Sequence, residues 1–213
     1  GWWPDDRIVF GVTVGDEALA IPKNIAEVHE MFNLTLGGRR LAIPYCTLCG
    51  SAQAFITDEV LAADGSPLPT LELRTSGLLA RSNKVMFDLN TYSVFDTFTG
   101  RAVSGPLHAE GVTLDQVTVV TSTWGEWKRA HPETTIVARD GGIGRTYESD
   151  PLGGRDDNGP IFPVGDVDER LPAPARVLGL IGSDGGAVAF PVDVARPHLE
   201  SGGSIVPPGV QVV

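Results

Sequence analysis

The sequence predicts a single, mainly β domain with a few short helices, folded as a barrel or a sandwich over residues 1–213. Three observations support this fold class. The 26 glycines and 16 prolines are spread along the chain and separate short runs rich in Val, Ile, Thr, Phe and Leu, which is typical of strands joined by turns. A strand-turn-strand segment near the start recurs near the end. The hydrophobic content of 42% is enough to bury one substantial core.

Nine strands are predicted from apolar and β-branched runs bounded by turn residues. Gly15 and Asp16 form the turn between the first two strands, and a second turn is predicted between Asp88 and Thr91. The predicted strands are residues 7–14, 17–22, 39–46, 52–60, 71–77, 83–89, 92–98, 117–123 and 134–139.

Two short helices are also predicted. The first spans residues 24–33, begins at a capping asparagine and places His29 and Asn33 on one face, four residues apart. The second is capped by Ser122 and stops at Pro132, because proline cannot continue the hydrogen-bonding pattern of a helix.

Residues 7–29 and 176–198 form an internal repeat. The two segments align without gaps and keep Arg, Ala, Pro and His at matching positions. Two copies are too few for a solenoid, so we interpret them as equivalent hairpins that bracket the domain and pack as pseudo-symmetric partners. Chance similarity between two apolar hairpins is the alternative. The polar stretch at about residues 148–175, rich in Gly and Pro, predicts a long surface loop.

The charge balance and the lengths of the apolar runs exclude two classes of function. The 27 acidic and 16 basic residues give a net charge of -11, which repels nucleic acids and anionic membrane surfaces. No apolar run reaches the roughly 20 residues of a spanning helix, so no transmembrane segment is predicted. Because the sequence begins without Met, we expect a trimmed or mature form. The motifs of serine hydrolases, P-loop proteins and dinucleotide-binding proteins are absent.

Both cysteines lie in the segment YCTLCGSAQAF, at Cys46 and Cys49. Two thiolates at this spacing converge on one metal ion, and the glycine after the second gives the backbone room to turn. They supply only half of a tetrahedral zinc site. Copper(I) is satisfied by two or three soft ligands, so the pair and one histidine or methionine suffice. We therefore expect a soft-metal site, with copper favoured over zinc.

His29 and Met86 are the candidate further ligands. The predicted helix places His29 off the apolar stripe, where its imidazole is available to a metal. Met86 lies on a predicted strand and could either bind copper or fill a gap in the core. The expected function is metal handling or copper-dependent oxidation, with Cys46 and Cys49 as the catalytic candidates if the protein is an enzyme.

Two other functions remain open. The first is a thiol-disulfide redox protein acting on exported partners, which needs one cysteine with a depressed pKa. The second is a binding module in which the cysteines only shape a loop. A disulfide across so short a loop would be a weak staple, because it removes little entropy from the unfolded chain.

Six segments carry a family resemblance: GDEALAIP, HEMFN, GGRRLAIPYCTLCGSAQAF, SGLLARSNKVMFDLNTYSVFDTFTGRAVSGP, TSTWGEWKRAHPET and RVLGLIGSDGGAVAFP. They occur in the order seen in the bacterial and archaeal family called domain of unknown function 3179, which the sequence resembles over nearly its whole length. Its hallmark is the Tyr-Cys-x-x-Cys-Gly-Ser block. The sequence departs from the family pattern at Thr47, where proline is common, and at Leu34, where aspartate is common. The resemblance implies an extracytoplasmic location, because members usually carry a signal or lipoprotein leader, and it implies no known reaction.

Overall fold

The computed structural model describes residues 2–155, 160–173, 175–181 and 186–204. The described residues form fifteen strands and four short helices, which confirms the mainly β class. The chain divides into two compact units, Gly1–Gly165 and Asp166–Val213. No helix among the described residues is long and apolar enough to span a bilayer.

The first unit contains thirteen strands and three helices. Its strands are β1 (Ile8–Val14), β2 (Glu17–Pro22), β3 (Met31–Leu36), β4 (Arg39–Cys46), β5 (Ser51–Ala52), β6 (Ala54–Ile56), β7 (Leu73–Ala80), β8 (Asn83–Asp88), β9 (Val94–Asp96), β10 (Ala102–Ser104), β11 (Gln116–Val117), β12 (Val119–Thr123) and β13 (Thr135–Ile136). Its helices are α1 (Lys23–His29), α2 (Pro106–Ala109) and α3 (Trp124–Ala130).

These strands form three sheets. The strand orders are β12-β1-β2-β13, then β11-β6-β4-β3 with β5 paired to β4, and β10-β9-β8-β7. Strand β13 is parallel to β2, and the other pairs are antiparallel. Each sheet has two edge strands, so within the described residues the unit is sandwich-like and not a closed barrel.

The sheet that contains β4 packs against the other two sheets through its two faces. Leu41, Ile43 and Tyr45 alternate along β4 and pack with buried side chains of β1 and β2. Ala42 and its cross-strand partner Phe55 point to the opposite face and pack with side chains of β7, β8 and β9. The alternation along one strand therefore joins two hydrophobic cores.

A third cluster covers the outer face of β1 and β2. It includes Val9, Trp124 and Trp127, so α3 packs against that face. Gly11 leaves room for this contact, because a Cβ atom there would lie 2.3 Å from the Trp127 ring. Helix α3 is capped by Thr123, whose side chain accepts a hydrogen bond from the Glu126 amide, and not by Ser122 as predicted.

The first predicted helix is wrong beyond His29. Helix α1 ends there, Glu30 takes a left-handed conformation with φ of 55°, and β3 follows. Asn33 therefore lies on a strand and does not share a helix face with His29. Its side-chain amide donates to the Leu73 carbonyl over 2.8 Å and accepts from the Leu73 amide over 3.2 Å. The predicted asparagine cap is also wrong, since Pro22 occupies the N-cap position and no described side chain caps α1.

The second unit contains β14 (Val177–Ile181), β15 (Ala187–Pro191) and α4 (Val192–Glu200). Both copies of the repeat thus fold as an antiparallel hairpin followed by a helix. The strand pairing of the two hairpins differs by one residue from what the gap-free sequence alignment implies. That alignment matches Ile8 with Val177 and Pro22 with Pro191. Val177 pairs with Pro191, but the residue that pairs with Pro22 is Val9 and not Ile8. Pseudo-symmetric packing of the two hairpins stays a prediction. No strand falls in the described residues between 148 and 173, where the long loop is predicted.

Candidate functional site

The cysteine pair lies in a tight connection between β4 and β5. Cys46 ends β4 and pairs with Ser51, the first residue of β5. Gly50 closes the turn with a left-handed φ of 59°, which glycine adopts without steric cost. The turn brings the Sγ atoms of Cys46 and Cys49 to 2.9 Å, and both are free thiols.

The two thiols differ in exposure. Cys46 is buried, with 3% of its surface exposed, whereas Cys49 is exposed. A large partner can therefore contact the sulfur of Cys49 more readily than that of Cys46.

The two thiols also differ in pKa. A hydrogen bond from Cys49 lowers the pKa of the Cys46 thiol to about 6, and the backbone amides of Lys84, Leu48 and Cys49 act in the same direction, against the effect of burial. The same hydrogen bond, together with burial and the negative charge of Cys46, raises the pKa of Cys49. Near neutral pH the pair thus holds a thiolate at Cys46 and the proton at Cys49.

Lys84 is a buried cation beside the cysteine loop. Its Nζ donates to the carbonyl oxygens of Tyr45 and Glu30, over 2.9 Å and 3.1 Å, and lies 2.7 Å from Glu30 Oε2. These three acceptors satisfy the three N–H groups of the ammonium. Burial lowers the pKa of Lys84, and the hydrogen bond and negative charge of Glu30 oppose this effect.

Glu30 joins the end of α1 to the cysteine loop. In addition to Lys84, its carboxylate accepts hydrogen bonds from the hydroxyls of Thr47, over 3.0 Å, and Thr75, over 3.4 Å. Its carbonyl also accepts from the Tyr45 amide over 3.0 Å. This network holds a residue other than glycine in the left-handed region, where it carries a conformational cost of about 1–2 kcal/mol.

The turn between β7 and β8 contacts Cys49. Its two central residues, Arg81 and Ser82, both have left-handed φ angles, of 52° and 63°. The Cys49 sulfur lies 3.6 Å from the Ser82 carbonyl oxygen and 3.3 Å from Asn83 Oδ1. Such turns usually contain Gly or Asn, so this one stores backbone strain next to the thiol pair.

Two buried hydroxyls at this site lack a hydrogen-bond partner among the described residues. They are Ser51 Oγ and Ser82 Oγ. Ser51 is directly opposite Cys46 in the β4–β5 pair, so the two side chains share one face. A buried hydroxyl without a partner costs about 1–3 kcal/mol, so both groups can donate to an anion or a ligand that enters the site.

The other two predicted ligands have different neighbours. His29 Nε2 lies 2.5 Å from Tyr147 Oη, and its ring packs near Phe32. Burial, and then the charge of Arg145, lowers the pKa of His29. Met86 is fully buried in the core formed with β7 and β9. In the described part of the chain, no group of three or more His, Cys, Asp or Glu residues is arranged to hold a metal ion.

The sequence patterns predicted the two sulfurs but not the residues that support them. Lys84 carried a usable signal, because it is a charge inside the strand NKVMFD, which is otherwise mostly apolar. A lysine buried on a strand requires fixed acceptors and indicates a polar site. Glu30 and Ser82 gave no such signal, since their roles depend on backbone conformation.

The whole-chain comparisons give one match. The family described as a protein of unknown function (DUF3179) matches residues 2–203. No curated protein and no solved structure matches the chain. The match covers nearly all of the sequence, and the chain therefore belongs to the domain of unknown function 3179 family.

Proposed function

We propose that the protein is a thiol-disulfide oxidoreductase that oxidises thiols of extracytoplasmic partners through Cys46 and Cys49. The observation that carries the proposal is the pair of unequal thiols, 2.9 Å apart, of which the first is buried and the second exposed. The stabilised Cys46 thiolate matches the low-pKa cysteine that such chemistry needs. The extracytoplasmic location is supported by the family resemblance.

The reaction begins with the oxidised pair. A partner thiolate attacks the exposed Cys49 sulfur, a partner–Cys49 disulfide forms, and the bond between Cys46 and Cys49 breaks. Cys46 leaves as a thiolate. A second partner thiol then loses its proton and attacks the first partner sulfur, so the partner gains a disulfide and Cys49 leaves with that proton. The partner loses two electrons and the cysteine pair gains them.

The difference between the two thiols favours this direction. A thiolate of low pKa is a good leaving group, so attack on Cys49 with departure of Cys46 is fast. Stabilising the reduced form also raises the reduction potential, because the reduced pair is then favoured over the disulfide. The backbone amides at Cys46 supply that stabilisation and are fixed by the fold.

Copper(I) binding is the second proposal, with zinc as its alternative. It is supported by two adjacent sulfurs, one of them a thiolate near neutral pH and the other exposed. Cys46 and Cys49 would hold the ion, and two thiolates suffice for copper(I).

The test is equilibration of the purified protein in buffers of reduced and oxidised glutathione, with thiols counted after acid quenching. We expect one two-electron transition above about -230 mV, the range of oxidising thiol proteins. The Cys46→Ser and Cys49→Ser variants should show no intramolecular transition. A pair that stays reduced at every ratio contradicts the redox proposal. Elemental analysis of protein purified without chelator then tests the metal proposal, since bound copper should disappear in both variants.

A further inference from the structure

The proposed function requires an oxidant that restores the Cys46–Cys49 disulfide, and the site limits the size of that oxidant. Only 3% of Cys46, the residue that carries the thiolate, is exposed. Cys49 is exposed but retains its proton and is a poor nucleophile. A bulky disulfide compound such as oxidised glutathione therefore reacts slowly with the reduced pair, although it still reaches equilibrium with it when the incubation is long. A molecule close to water in size can reach Cys46 more easily.

The surroundings of Cys46 suit a reaction in which negative charge develops on oxygen. The backbone amides of Leu48, Cys49 and Lys84 favour the charged form of its sulfur and lower its pKa. Fixed amide donors in a buried site stabilise developing charge strongly, because they need no reorganisation. The Lys84 ammonium adds positive charge beside the loop.

The two unpartnered hydroxyls provide further donors. Ser51 lies opposite Cys46 on the same face, and its Oγ is buried with no partner among the described residues. Ser82 is 5% exposed, its Oγ is likewise unpartnered, and its carbonyl lies near Cys49. An oxygen atom bound next to Cys46 can accept the hydrogen bond of Ser51, which has no other acceptor among the described residues.

We propose that Cys46 reduces small hydroperoxides, with Cys49 as the resolving thiol and the Ser51 hydroxyl as a donor to the departing oxygen. The inference rests on the proposed function for one step only, the reduction of the Cys46–Cys49 disulfide by partner thiols. It adds a second substrate class, hydroperoxides, and gives separate tasks to the buried sulfur and the exposed one.

The hydroperoxide oxidises the two cysteines in two steps. The Cys46 thiolate attacks one oxygen of the hydroperoxide, the O–O bond breaks, and a sulfenic acid forms at Cys46 while an alkoxide or hydroxide leaves. Ser51 donates a hydrogen bond to that oxygen, which takes a proton from solvent. The Cys49 thiol then attacks the Cys46 sulfur, the disulfide forms, and hydroxide leaves with the Cys49 proton as water. One hydroperoxide accepts the two electrons.

The test mixes the fully reduced protein with one equivalent of hydrogen peroxide in stopped flow. We expect one disulfide per peroxide, formed about 100-fold faster than free cysteine reacts at the same pH. In the Cys49→Ser variant a sulfenic acid should accumulate on Cys46 and be labelled by dimedone. The Ser51→Ala variant should react about tenfold more slowly, and Ser51→Thr, which keeps the hydroxyl, should recover most of the rate. Ser66→Ala, an exposed serine, is the matched control.

A peroxide reaction no faster than that of free cysteine overturns this inference. It is also overturned if Cys49 in the Cys46→Ser variant reacts with peroxide as fast as the wild-type protein does and is labelled by dimedone. Neither result affects the glutathione equilibrium, which tests the proposed function alone. A fast peroxide reaction in a protein whose disulfide then fails to oxidise partner thiols supports the inference and removes the proposed function.

Discussion

Lys84 donates a 2.9 Å hydrogen bond to the carbonyl oxygen of Tyr45, the residue that precedes Cys46. The backbone amide of Lys84 also helps to lower the pKa of the Cys46 thiol. A single residue of β8 thus holds the end of β4 through its side chain and favours the thiolate through its main chain. The reactive sulfur is therefore positioned by a neighbouring sheet as well as by its own loop.

Replacing Lys84 by methionine tests this anchoring. The Lys84→Met variant removes one donor from the Tyr45 and Glu30 carbonyls and the cation from the Glu30 carboxylate, so we expect a loss of about 2–3 kcal/mol in the free energy of unfolding. Urea denaturation measures it. Lys128→Met is the matched control, because Lys128 pairs with Asp5 at the surface, and should cost about 1 kcal/mol or less. Equal costs would contradict the anchoring role.

The Cys46 thiol should titrate near pH 6 in the reduced protein. Absorbance at 240 nm, which reports thiolate, should rise with a midpoint of about 6, against an ordinary pKa of 9.0. In the Cys49→Ser variant the midpoint should shift, because the largest cause of the lowered pKa is the hydrogen bond from Cys49. An unchanged midpoint in that variant would show that the backbone amides dominate.

The same shift predicts a pH dependence of stability. A group whose folded pKa is lowered stabilises the folded state above its unfolded pKa, and that stabilisation is lost as the pH falls through the folded value. The free energy of unfolding of the reduced protein should therefore rise between about pH 6 and pH 9 from this group. Denaturant titrations at several pH values measure the rise, and the Cys46→Ser variant should lack it.

Gly11 and Gly179 make a matched pair for testing the packing of α3. They occupy corresponding ladder positions, since Gly11 pairs with Ala20 and Gly179 with Ala189. Gly11→Ala forces a methyl group into the Trp127 ring and should cost about 1–3 kcal/mol. A Cβ atom at Gly179 would have no described residue within 4 Å, so Gly179→Ala should change stability by less than about 0.5 kcal/mol. Similar losses of stability at both positions would mean that replacing any strand glycine is destabilising, whether or not the new methyl group meets Trp127.

The strained turn between β7 and β8 predicts a stabilising substitution. Asparagine tolerates the left-handed region better than arginine does, so Arg81→Asn should raise the free energy of unfolding by about 1 kcal/mol. Thermal unfolding measures the gain. Asp16→Asn, in a hairpin turn where that residue has no positive φ, is the control and should give no gain. A destabilised Arg81→Asn variant would show that the arginine side chain makes a contribution larger than the strain.

The strands with strong apolar patterns were predictable. Residues 7–14, 17–22 and 39–46 were predicted almost to the residue, because their periodicity and turn chemistry agree. β3 was missed, since MFNLTL continues a helical pattern and only the conformation of Glu30 separates it from α1. Lys84, far along the chain, contacts Glu30 in that conformation through both its carbonyl and its carboxylate. Tertiary contacts of this kind override local preference.

The candidate site was predicted in the same partial way. Spacing alone identified Cys46 and Cys49, because three residues of separation bring two side chains together in any tight turn. The His29 ligand hypothesis rested on a helix extending to Asn33, which the fold does not contain. Ser51 could be placed opposite Cys46 only once the β4–β5 pairing was known. Sequence patterns report local geometry, whereas the supporting groups come from pairing between distant segments.

The two-way hydrogen bond between Asn33 and Leu73 has a consequence for aggregation. β7 is an edge strand, and a row of free backbone groups at an edge can pair with a second chain. Asn33 occupies both backbone groups of Leu73, so that end of the edge offers nothing to an incoming strand. Farther along β7, Gly77 adopts a positive φ of 71° and the ladder with β8 shifts register. The irregular backbone there is a poor template for another chain. A side-chain amide and an irregular segment together give the open side of this sheet protection against fibril-like growth.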